Sequence, residues 1–84
     1  MVTRDFSGED VVKVLGNTGN FTFQRMNGDH AIMKWTAPPD HNTANRTVSV
    51  PMHDRISTGT LRNIMEQAGG EDFEAFCRWI DRNR

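Results

Sequence analysis

The chain predicts an α+β fold of two layers: a helix, a three-stranded antiparallel sheet, then two helices, with one face of the sheet covered and the other open. Two observations carry this prediction. Apolar residues recur at helical spacing near the start of the chain and through its last third, and between them lie short alternating runs around the dipeptide Asn27-Gly28. The Gly69-Gly70 pair then divides the C-terminal third in two.

Each element has its own signal. Ser7 stands three residues before Asp10, the spacing of a helix cap with an acidic group in the first turn. Val11, Val12, Val14 and Leu15 follow on one face, and Gly16 and Gly19 bracket the end, giving a helix over about residues 7–17. In FTFQRM, Phe21 and Phe23 alternate with Thr22 and Gln24, which is strand periodicity. Asn27-Gly28 suits a tight hairpin turn because both residues tolerate positive φ. The returning strand, DHAIMKWT, places Ala31, Met33 and Trp35 on one side and His30, Ile32 and Lys34 on the other. APPDHNTAN reads as a loop, and RTVSV as a third strand stopped by Pro51. Leu61, Ile64, Met65 and Ala68 mark the penultimate helix, and Phe73, Phe76, Cys77 and Ile80 the last.

Composition narrows the function classes. With 84 residues the chain forms one domain, 1–84, and needs nearly every apolar residue for its core. A lone cysteine, Cys77, excludes an internal disulfide and a thiolate metal site. No apolar run approaches the roughly 18 residues that span a membrane, and MVTRDFSGED lacks a signal peptide's apolar stretch, so a cytoplasmic location without membrane contact is expected. His30, His41 and His53 lie 11 and 12 residues apart, which matches no standard ligand spacing, so no metal is expected. The net charge of −1 argues against strong non-specific nucleic-acid binding. Its distribution is uneven: residues 24–65 sum to +2 and the stretch from Glu66 onward to −2.

Three local sequences are less generic. Arg25-Met26-Asn27-Gly28-Asp29-His30 resembles the R-x-x-G-S-H hairpin of HicA toxins, and Val50-Pro51-Met52-His53 their V-P-x-H strand end. The run from Gly59 to Gly69, GTLRNIMEQAG, resembles their G-T-L-R-x-I-L-x-Q-A-G helix, and Gly8-Glu9 with Val11, Val12 and Leu15 their opening helix. The motifs stand in the family's order, and the likeness covers about residues 7–80. The resemblance implies a double-stranded-RNA-binding-domain-like fold, metal-independent cleavage of messenger RNA without a cofactor, and neutralisation by a HicB-like antitoxin. The chain departs from the family pattern in three respects, one being that it has fewer basic residues than RNA-binding members usually show. Asp29 replaces the serine before the histidine, putting negative charge where a phosphate approaches and predicting weakened activity. The loop from Ala37 to Asn45 is also longer.

Metal-free RNA cleavage requires a group that takes the 2′-hydroxyl proton or protonates the leaving oxygen, with positive charge beside the phosphate. A histidine populates both protonation states near neutral pH, which makes His30 the expected general acid or base. Asn27 and Gly28 fix its angle through the turn, while Arg25 and Lys34 are the expected phosphate contacts. His53 and Arg62 are further expected RNA contacts, although a strand-end residue and a solvated helix face explain them without RNA. His41 reads as a solvated loop residue, and Cys77, Trp35 and Trp79 as packing residues. A second reading is a non-catalytic RNA-binding module on the same scaffold, with Asp29 marking lost activity. A third is an interaction protein whose open sheet face binds another protein.

Overall fold

The computed structural model describes residues 3–40 and 42–84, so His41 lies outside the described residues. The elements run α1 (Gly8–Asn17), β1 (Thr22–Asn27), β2 (His30–Trp35), β3 (Arg46–Pro51), α2 (Thr58–Gln67) and α3 (Phe73–Asn83), in the expected α-β-β-β-α-α order. The sheet is antiparallel, in the order β1-β2-β3. α1 packs on β2 and β3, α2 packs on β3, and α3 seals the helical layer against both other helices. Among the described residues, no helix is long and apolar enough to cross a membrane.

The helix boundaries follow from their caps. Ser7 and Asp10 form a reciprocal capping box at the start of α1. Ser57 and Asp72 begin α2 and α3 by accepting the backbone N–H groups of Thr60 and Ala75. α2 ends in a Schellman motif: Gly69, at φ 89°, donates to Glu66 O, and Gly70 to Met65 O. At the end of α1 the expectation needs correcting, because Gly16 lies inside the helix and Thr18 caps it. The residue with positive φ before β1 is Asn20 rather than a glycine.

One apolar cluster fills the space between the layers. It joins Phe6, Val11, Val14 and Leu15 to Met33, Val48 and Val50 of the sheet, and to Leu61, Ile64, Phe73, Cys77 and Ile80 of the last two helices. Trp35, Phe76 and Trp79 pack against its rim, consistent with their expected packing role.

β1 lies outside this cover. All six of its residues are exposed, and Phe23, opposite Met33, is 51% accessible. Of the alternating phenylalanines only Phe21, just before the strand, reaches the core. The cause is geometric, since α1 seats on β2 and β3 and leaves the outer strand bare.

Candidate functional site

The hairpin joining β1 to β2 is displaced by one residue from the expected position. Asn27 pairs with His30, so the two-residue loop is Gly28-Asp29 rather than Asn27-Gly28. Gly28 has φ 62°, while Asp29 keeps a negative φ, the pattern of a type II′ turn with glycine at its first central position. Asp29 therefore belongs to the turn. The alternation that would send neighbouring strand side chains to opposite faces does not act on it, and its carboxylate folds back beside His30.

Two chain segments close around this turn. The Met52 N–H donates to Asp29 O at 2.7 Å, and the Gly8 N–H donates to His53 O at 2.9 Å. A Cβ on Gly8 would stand 2.2 Å from Pro51 O, so the first turn of α1 reaches the end of β3 only because residue 8 lacks a side chain. Val50-Pro51-Met52-His53 is thereby held between the hairpin and α1. Pro51, the last residue of an edge strand, needs no N–H there.

The result is a three-residue polar cluster. Asp29 Oδ1 lies 2.9 Å from His30 Nδ1, and Asp29 Oδ2 lies 2.7 Å from His53 Nε2. The hydrogen bond from His53 holds the Asp29 carboxyl below its ordinary value, helped by the charges of both imidazoles. The side chains of His30 and His53 are 44% and 56% accessible, so both rings meet solvent on a fixed backbone. Among the described residues, no group of three His, Cys, Asp or Glu side chains is placed to hold a metal ion.

An irregularity in β1 decides where Arg25 stands. Phe23 pairs with Met33, but Arg25 pairs with Ile32, leaving Gln24 as the extra residue of a β-bulge. In an unbroken ladder Arg25 would oppose Ala31 on the helical side. The bulge moves it to the face that His30, Ile32 and Lys34 share, directly opposite Ile32 and diagonal to His30. Lys34 is four residues along the same strand, about 13 Å at the usual rise per residue.

The structure therefore brings His30, His53, Arg25 and the turn residues Asn27 and Gly28 together, with Lys34 farther along the same face. It does not bring Arg62 there. That guanidinium lies over the Phe73 ring, 4.3 Å from its centroid, where α2 meets α3. Sequence reasoning missed two connections: the Asp29–His53 hydrogen bond and the bulge that reorients Arg25. The first had one signal, since both residues flank the strand ends that a β1–β2–β3 meander places side by side. The second had none, because nothing in FTFQRM marks Gln24 as extra.

Both imidazoles of the site are exposed. Concave surface lies elsewhere, for example between Arg4, Asp5 and Arg55 at the start of α2. An exposed imidazole pair on a β-ribbon, with cations along it, suits an extended polymeric phosphodiester better than a small enclosed ligand.

Comparison with known proteins agrees with the motifs. No curated protein and no solved structure matches the chain. A family model described as the HicA toxin of bacterial toxin–antitoxin systems matches residues 8–69, which contain α1, the whole sheet, the histidine cluster and α2. The chain belongs to the HicA toxin family.

Proposed function

We propose that the protein is the toxin of a HicA/HicB-type pair, a cytoplasmic endoribonuclease that cuts messenger RNA without metal, using His30 for proton transfer. The observation that carries this reading is the placement of His30. Its imidazole is solvent-accessible, anchored through Nδ1 to Asp29, and set on a face to which the bulge delivers Arg25.

His30 Nδ1 stands 2.9 Å from an Asp29 carboxylate oxygen, and a neutral ring with its hydrogen on that nitrogen presents an unprotonated Nε2. That is the form a base needs to take the proton of a 2′-hydroxyl. Arg25 stabilises the charge developing on the phosphate, and Lys34 holds the backbone farther along the strand. Arg62, stacked on Phe73, contributes at most a remote backbone contact. Asp29 acts in two directions: it orients the ring, and its charge repels the incoming phosphate, so turnover is slower than with the family's serine. A HicB-like antitoxin blocks the activity.

The test is incubation of the purified chain with RNA in excess chelator. Cleavage is expected. Intact RNA alongside a gel shift would instead mark a non-catalytic RNA-binding module, and neither cleavage nor shift would leave only a protein-binding role.

A further inference from the structure

The polar cluster contains one imidazole more than the proposed function uses. We propose that His53 is the second proton-transfer residue of this site, the general acid that protonates the leaving 5′-oxygen while His30 takes the 2′-hydroxyl proton. This rests on the ribonuclease reading above.

The geometry supports a division of labour between the rings. One Asp29 oxygen is hydrogen-bonded to His53 Nε2, and the other lies 2.9 Å from His30 Nδ1. The ring nitrogens not engaged with the carboxylate are therefore His30 Nε2 and His53 Nδ1. One carboxylate thus stands between two imidazoles whose free nitrogens can serve one as base and the other as acid. The positions are fixed by backbone as well as by the carboxylate. Met52 N–H holds Asp29, Gly8 N–H holds His53, and β3 pairs Pro51 directly with His30.

In the step, the 2′-oxygen bonds to phosphorus as its proton passes to His30 Nε2. The bond from phosphorus to the 5′-oxygen breaks, and that oxygen takes the proton from His53 Nδ1. The products are a 2′,3′-cyclic phosphate and a 5′-hydroxyl end, with no net change of oxidation state and no outside reactant.

Asp29 is then a positioning residue for both rings. Among the described residues it is the only carboxylate within ion-pair distance of either imidazole. Other charged residues around the cluster include Arg25 across the sheet, Glu9 beside Gly8 in the first turn of α1 and Asp54 next to His53 in sequence.

The experiment compares the full chain with its His53→Gln and His30→Ala variants on an RNA having one scissile linkage, and on the same RNA with sulfur replacing the 5′-oxygen, a leaving group that departs without a proton. Thermal unfolding checks that both variants fold. His53→Gln is expected to cut the normal linkage roughly 10²–10⁴-fold more slowly, to recover most of that loss on the sulfur linkage, and to lose the high-pH limb of the rate profile. His30→Ala should be impaired on both substrates. Unchanged cleavage of the normal linkage by His53→Gln would overturn the assignment and leave His30 standing. So would an equal loss on both linkages. Failure of the unaltered chain to cut either RNA would overturn the ribonuclease reading, and this assignment with it.

Discussion

At the β1–β2 turn, hydrogen bonds from Met52 and Gly8 fix the backbone, while the imidazoles of His30 and His53 stay open to solvent. Where α2 meets α3 the arrangement is reversed. The Arg62 and Arg4 guanidinium carbons lie 4.3 and 5.6 Å from the Phe73 ring centroid, and Cys77 is wholly buried, its thiol pushed up by desolvation. Both corners contain residues able to do chemistry. Only the first keeps them exposed, because much of its order comes from main-chain bonds and a missing Cβ, with the Asp29 carboxylate as the one side-chain tether.

That contrast can be broken most forcefully at Gly8. Alanine there would put a Cβ against the Pro51 carbonyl, with main chain on both sides and no flexible side chain to yield. Gly8→Ala should cost about 3 kcal/mol or more in urea unfolding, and should reduce cleavage by displacing His53. Arg25→Ala comes next. It is expected to slow RNA cleavage about 10²-fold, with stability within roughly 0.5 kcal/mol of the parent, measured by single-turnover rates and thermal melts. A smaller effect is expected at Ser7. Removing its side of the capping box with Ser7→Ala should lower unfolding free energy by about 1 kcal/mol.

The helical corner gives the opposite signature. Arg62→Ala should lose about 0.5–1 kcal/mol of stability with its ring contact, yet change the salt dependence of RNA binding less than Arg25→Ala does. A larger change at Arg62 would mean that RNA reaches this corner as well. The smallest effect concerns acid. The Ser7 backbone N–H, more than the Ser7 hydroxyl or Arg84, holds the Asp10 carboxyl below its ordinary value of 3.8. A depressed carboxyl stabilises the fold above that value, and the contribution disappears as pH falls through the lowered one. Unfolding free energy measured against pH should therefore decline below 3.8, and Asp10→Asn should flatten that decline.

Much of this molecule was legible in its sequence because local rules and tertiary packing agree. Leu61, Ile64 and Met65 are buried as their spacing requires, and Ser7 caps the helix it precedes. His30, Ile32 and Lys34 share a face because β2 runs without interruption. The failures occur where the backbone departs from a regular period. A turn displaced by one residue released Asp29 from strand alternation, and a bulge carried Arg25 from the helical face to the open one. Phe23 obeys the strand pattern and is still exposed, since the pattern says which face a residue takes but not whether a helix covers it. The Asp29–His53 bond joins residues 24 apart in the chain, a pairing that becomes visible only once the register of β2 on β3 is known.

The most direct test of the account is the single-turnover cleavage rate of a defined RNA in excess chelator, measured for the unaltered chain and for His30→Ala at equal folded fraction. A drop of roughly 10²-fold or more, with unchanged melting, is the predicted result. Equal rates in the two proteins would show that this imidazole moves no proton in the reaction, and would contradict the account.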